Sequence, residues 1–341
     1  MRKKYGLEFD IDRRHSMGGG LAAFGQFLMV GLPGPHFDQV AKELVRDLNV
    51  GGVILFARNL EGPEQIRELT RSLQREATAA AGQPLLIALD QEGGPVQRLK
   101  APFTLIPSAR ELGLWSSAEK VEELARKTAQ ELVQVGINVN LAPVLDVVRS
   151  PECPLYERSY GPDPDQVAAF GEAAIRGYLA GGVLPVAKHF PGLGDTVQDS
   201  HVELPVARSP DLSRFADLLP FRRAIAAGVP LVMTAHTVVP EWDALPATLS
   251  PVAIRTWLRG NLGFAGVVMT DDLEMGAIAG RFPVSQAARQ ALAAGADLLL
   301  ICQDVQAAWE TASLLVEDRT LAEPAKEAAR RLTDLRKRLM L

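Results

Sequence analysis

Short apolar runs recur along the chain, separated by longer amphipathic stretches. Eight stand out: "GQFLMVGL" at 25–32, "VGGVILF" at 50–56, "PLLIALD" at 84–90, "INVNLAPVLD" at 137–146, "GVLPVAKHF" at 182–190, "PLVMTAHTVV" at 230–239, "GVVMTDD" at 266–272 and "ADLLLIC" at 296–302. Runs of this length and composition read as strands buried on both faces. The stretches between them, such as "SAEKVEELARKTAQELVQVG" and "DQVAAFGEAAIRGYLAGG", have apolar residues at helical spacing, and several close on the glycine expected just past a helix end. No Ser/Gly-rich linker interrupts the series. The alternation predicts a single α/β domain over residues 1–341, a (β/α)8 TIM barrel with residues 1–20 as an N-terminal extension. A doubly wound open sheet produces the same alternation and stands as the alternative.

Polar residues gather where the runs end: Asp90, Asp146, Lys188 with His189, His236 and Asp271. A charge at the end of a buried parallel strand must face solvent, a partner or a ligand, and barrel active sites form at that end. Each of these runs therefore points to the same mouth.

Composition narrows the function classes. Apolar residues make up 47% and charged residues 23% of the 341, which fits a folded globule. With 36 basic against 41 acidic residues the net charge is -5, so no overall field attracts nucleic acid. Cys153 and Cys302 are far apart and in no CxxC, which suggests a reducing compartment and no cysteine metal site. "FGQFLMVGL" is too short to span a bilayer and reads as a first strand. The expected setting is the cytoplasm, with neither membrane nor nucleic acid as partner.

Three stretches carry candidate chemistry. "VVMTDDLEM" ends a strand on two acids; side chains alternate along a strand, so Asp271 is expected to point into the mouth while Asp272 begins the loop. A carboxylate held beneath a sugar could attack its anomeric carbon and store a covalent intermediate. "ALDQEGGPVQRL" brings Asp90 and Arg98 to the same rim around a Gly-Gly turn, an acceptor and a donor suited to neutral hydroxyls, with a plain salt bridge as the competing role. In "PVAKHFPGLGDTVQDSHVELP", Lys188 and His189 close a strand, and a Pro/Gly loop follows that could carry His201 to a reacting atom while Asp199 holds its other ring nitrogen.

Competing chemistries leave weaker marks. The pattern contains no GxxxxGK[ST], no GxGxxG after a strand and no GxSxG, and although six possible metal ligands reach the mouth, no HxH or HExxH spacing brings two together. A metal-dependent barrel hydrolase therefore remains a rival reading, as does a non-catalytic sugar-binding or regulatory barrel; the expected chemistry uses no metal and no cofactor.

Together these stretches resemble family 3 of the glycoside hydrolases, in particular its short single-domain bacterial β-N-acetylglucosaminidases, over almost the whole chain. "KHFPGLGDTVQDSH" is similar to the family signature KH-[FI]-PG-[HL]-G-x4-D-[ST]-H. The resemblance implies a retaining exo-enzyme acting on carbohydrate with terminal N-acetylglucosamine, such as cell-wall-derived glycans or muropeptides. It assigns the nucleophile to Asp271, the general acid/base to His201 and its orientation to Asp199. Sugar binding falls on Asp90, Arg98, Arg158 of "ERSYGPD", Lys188 and His189. Pro95 stands where that family usually carries arginine.

Overall fold

In the computed structural model, residues 18–193, 196, 198, 204–207 and 216–339 are described. Eight parallel strands close into a barrel: β1 Leu28–Gly31, β2 Gly52–Ile54, β3 Leu86–Leu89, β4 Val139–Asn140, β5 Leu184–Phe190, β6 Leu231–Thr234, β7 Val267–Asp272 and β8 Leu298–Ile301. Each pairs with its neighbours in sequence, and β8 pairs with β1 through Leu28 and Leu299 to complete the ring. All eight fall within the eight apolar runs, and closure excludes the open sheet. The residue 1–17 part of the expected extension lies outside the described residues; Gly18 already begins a helix, Gly18–Gly25.

The helices form for readable local reasons. Helix Ala118–Gln134 starts at Ser117, whose side chain accepts the Lys120 N–H, and buries Val121, Ala125, Thr128, Ala129 and Leu132 along one stripe. Helix Pro164–Ala180 follows, with Asp163 as its cap and Pro164 in its first turn. The two lie so close that a Cβ on Gly177 would come within 2.3 Å of the Glu122 carbonyl oxygen. Among the described residues no helix is long and apolar enough to cross a membrane.

Two irregularities set up the mouth. Between β5 and β6 the pairing passes from Ala187–Val232 to Phe190–Thr234, three residues against two. Between β7 and β8 it passes from Met269–Leu298 to Asp272–Leu300, again three against two. Each extra residue is a β-bulge, which re-aims side chains at a strand end. One bulge spans Lys188 and His189, whose connecting peptide is cis, and the other spans Thr270 and Asp271. The second is satisfied locally, since the Thr270 hydroxyl oxygen accepts the Leu300 N–H at 3.0 Å.

Candidate active site

A cavity of about 400 Å³ opens at the C-terminal ends of the strands, walled by Asp90, Arg98, Arg158, Lys188, His189 and Asp271. Six of the eight sequence-predicted site residues thus meet in one place. Asp199 and His201 lie outside the described residues; Thr196 and Gln198 of the same loop contribute to the cavity wall.

On one side the polar groups form a connected network. Lys188 Nζ donates to Asp90 Oδ1 at 2.9 Å and meets Glu92 Oε1 at 2.7 Å, although the lysine is only 2% exposed. Arg158 grips Glu92 with two bonds of 2.8 Å, from Nε and Nη2. Arg98 Nη2 donates to Asp90 Oδ2 at 3.1 Å, so the salt bridge is present and both partners still line the cavity. Burial opposes the charge on Glu92, but Lys188 and Arg158 outweigh it and hold its carboxyl down at about 2. Asp90 is lowered by the same contest, with Lys188 and Arg98 prevailing over burial and the nearby Glu92. Burial alone would lower Lys188, yet Asp90 and Glu92 raise it, so the ammonium is firmly charged.

The turn that delivers this network is the hairpin Gln91–Gly93 with Val96–Gln97. Gly93 and Gly94 have φ of 109° and 54°, and a Cβ on Gly93 would meet the Pro107 carbonyl oxygen at 2.4 Å, so the hairpin depends on the absence of side chains there. Pro95 occupies its exposed tip, leaving Arg98 free to reach Asp90.

Beneath the opposite wall, Asp146 is fully buried and accepts three N–H groups: the His189 backbone at 3.1 Å, His189 Nδ1 at 2.8 Å and the Leu193 backbone at 2.6 Å. A carboxylate can only accept here, so Nδ1 carries a proton and Nε2 is the ring nitrogen left for the cavity. His236 lies deeper. Its Nε2 reaches the Asp272 carbonyl oxygen at 2.8 Å, which requires the proton on that nitrogen, and Nδ1 meets the Thr248 hydroxyl at 2.9 Å. This histidine props the end of β7 rather than lining the cavity.

The two acids depart from the alternation expected of a strand. Asp271 and Asp272 both line the cavity, because the bulge at Thr270–Asp271 breaks the regular pleat. Burial would raise Asp271, but the His189 and His236 imidazoles and the Asp272 N–H, donated to Asp271 Oδ1 at 2.8 Å, bring it below the ordinary value. Asp272 moves the other way, to about 6: burial raises it, and Glu274 and Asp271 add to the rise against the Glu274 N–H.

Glu92 and Asp146 are the site residues that motif reading did not assign. Glu92 carried a signal, an acid inside the "DQEGG" turn that also positions Asp90. Asp146 was marked only as a polar strand end, and nothing in the sequence pairs it with His189. Cys153, Leu155 and Leu193 add an apolar wall. Among the described residues no three His, Cys, Asp or Glu side chains are grouped to hold a metal ion.

A closed barrel with a cavity of about 400 Å³ at its strand ends, walled by half-buried acids and by cations, is the form of an enzyme acting on a small polar substrate. The Glycosyl hydrolase family 3 N terminal domain matches residues 22–335, and the chain belongs to that family: it is a glycoside hydrolase. It is 39% identical over 287 residues to a beta-hexosaminidase of Alkalilimnicola ehrlichii, covering 82% of this chain and 81% of the other. Among solved structures, a family 3 beta-N-acetylglucosaminidase from Paenibacillus sp. superposes with a TM-score of 0.91 at 40% identity, covering 94% of this chain. This chain spans 62% of that longer one. Beta-N-acetylhexosaminidase from Beutenbergia cavernae superposes at 0.87 and 34% identity, covering 93% of this chain and 98% of the other.

Proposed function

We propose that the protein is a retaining exo-β-N-acetylglucosaminidase that removes terminal N-acetylglucosamine from cell-wall-derived glycans or muropeptides. The observation that carries this reading is the half-buried Asp271 carboxylate, held below the ordinary value on the wall of a cavity that Asp90, Lys188, Arg98 and Arg158 also line. The beta-hexosaminidase relatives support the choice of sugar.

In this mechanism an Asp271 carboxylate oxygen bonds to the anomeric carbon as the glycosidic C–O bond breaks, and the bond's electron pair leaves with the aglycone oxygen. His201 gives its proton to that oxygen. The now neutral imidazole then takes a proton from water, the hydroxide attacks the anomeric carbon, and the Asp271 ester bond breaks to restore the carboxylate. Asp199 orients His201 and favours its charged form. Asp90 presents an acceptor and Lys188, Arg98 and Arg158 present donors, with Glu92 behind them holding Lys188 and Arg158, a combination that fits the hydroxyls of one ring. His189, fixed by Asp146, adds the Nε2 position. Placement in the cytoplasm agrees with two cysteines that form no disulfide.

Two measurements test this. An aryl N-acetylglucosaminide should be cleaved far faster than the matching glucoside or xyloside, and equal rates would reject the sugar assignment. A slow fluorinated N-acetylglucosamine analogue should leave a mass label on Asp271, and Asp271→Asn should lower kcat by at least about 10³-fold while sugar binding persists. A label on Asp272, or full activity in the variant, would overturn the nucleophile.

A further inference from the structure

Among the described residues, the buried charges of this barrel have partners, with one exception. Asp146 holds His189, Lys188 holds Asp90 and Glu92, Asp217 meets Arg149, and Asp297 takes both Arg259 and Arg331. Arg336, on the C-terminal helix Ala322–Lys337, is 6% exposed and has no carboxylate partner among the described residues. Its Nη1 donates to the neutral Gln83 Oε1 at 2.9 Å, its Nη2 reaches the Gly51 carbonyl oxygen only at 3.5 Å, and its buried Nε has no acceptor. Burial lowers the guanidinium, and no charge among the described residues opposes it. An uncompensated buried cation is strongly unfavourable, and an arginine keeps its charge at any ordinary pH.

Arg336 also lines a cavity of about 230 Å³ with Gln26, Asn49 and Gln83. This space lies under the starts of β2 and β3, at the opposite end of the barrel from the catalytic cavity. A guanidinium with N–H groups to spare is matched by a compact oxyanion, which would supply the missing negative charge and accept several N–H bonds, while the amide nitrogens of Gln26 and Asn49 already donate to the Ala23 and Ala22 carbonyls.

We propose that this cavity is a binding site for a small oxyanion of the phosphate type, held by Arg336 and separate from the sugar site. Occupancy stabilises the barrel by joining the C-terminal helix to the segments that lead into β2 and β3.

The test is thermal unfolding of the full chain at neutral pH, titrating inorganic phosphate to about 20 mM against chloride at matched ionic strength. A ligand that binds only the folded state raises the midpoint with saturation, by about 2–5 °C here. Gln83→Glu places a carboxylate on Arg336 Nη1; it should raise the midpoint without phosphate and abolish the phosphate response. Arg336→Gln should abolish the response as well, and circular dichroism checks that each variant is folded. If Arg336→Gln does not fold, Gln83→Glu alone decides. The absence of a saturable rise in the wild type, or a rise that persists in the variants because phosphate acts in the catalytic cavity, overturns the proposal.

Discussion

Replacing Glu92 by glutamine tests whether the buried charge network maintains the barrel as well as the sugar site. The substitution keeps the shape and removes one charge. Arg158 then loses its carboxylate and Lys188 keeps only Asp90. Glu92 stands at about 2 in the fold against an ordinary 4.5, which corresponds to about 3 kcal/mol of stability at neutral pH. Breaking one side of a buried ion pair costs about 3–5 kcal/mol by an independent route, so about 3 kcal/mol is the expected loss for Glu92→Gln.

The pH dependence has a definite sign. A carboxyl depressed by folding contributes fully above its unfolded value of 4.5 and loses that contribution as pH falls towards 2. The stability gap between wild type and Glu92→Gln should therefore narrow from about 3 kcal/mol at pH 7 to about 1 kcal/mol at pH 3. Urea unfolding at both pH values, with the slope checked for constancy, measures the gap. A difference below about 1 kcal/mol at pH 7 is in the range of an ordinary surface change and would refute the electrostatic account, as would a gap that stays constant with pH.

Asp272, raised to about 6 from an ordinary 3.8, behaves oppositely: its contribution is fully present below 3.8 and is lost as pH rises through 6, so Asp272→Asn should gain on the wild type by up to about 3 kcal/mol between pH 4 and 7, read by the same urea assay. Asp146→Asn puts an amide against three N–H donors. It should cost about 2–4 kcal/mol in unfolding free energy and raise the KM for sugar about tenfold; a stability within about 0.5 kcal/mol of wild type would remove Asp146 from its supporting role. His201→Ala should slow glycosylation by natural sugars about 10²–10⁴-fold but spare substrates with an acidic nitrophenol leaving group, where slow deglycosylation produces a burst. Equal losses for both substrate classes would make His201 a structural or binding residue.

The barrel was legible because a parallel strand covered on both faces must be apolar along its length, a demand that "ADLLLIC" and "GVVMTDD" state plainly. The mouth was legible for a related reason: Asp90, Lys188, His189 and Asp271 break those runs where apolar residues would otherwise continue. The extent of β4 was less legible. The run 137–146 pairs as strand only at Val139–Asn140, with an isolated bridge from Val144 to Lys188, and Pro143 within it supplies no N–H for a regular ladder. Bulges escape such reading entirely, since an extra residue at Lys188–His189 or Thr270–Asp271 is defined by the neighbouring strand and leaves no trace in its own sequence. For the same reason Asp146 could be marked as polar but not matched to His189, 43 residues away.

The bulge at β7 has a chemical consequence that regular alternation would not allow. A plain pleat would turn Asp272 away from Asp271. With the extra residue, both acids border one cavity, where a second negative charge would make ionisation of the first harder. The surroundings resolve this conflict unequally. Asp271 receives the Asp272 N–H and faces His189 and His236, which together overcome its burial, whereas Asp272 has Glu274 as a further like charge and is raised by burial. Neighbouring carboxyls are thus separated in acidity, Asp271 below the ordinary value and Asp272 above it, an arrangement by which enzymes assign different tasks to chemically identical groups. This separation supports Asp271, the acid that gives up its proton more readily, as the attacking group. It also ties the sugar site to its supports: removing His189, His236 or Lys188 from beside Asp271 would raise it towards Asp272 and narrow the difference between the two acids.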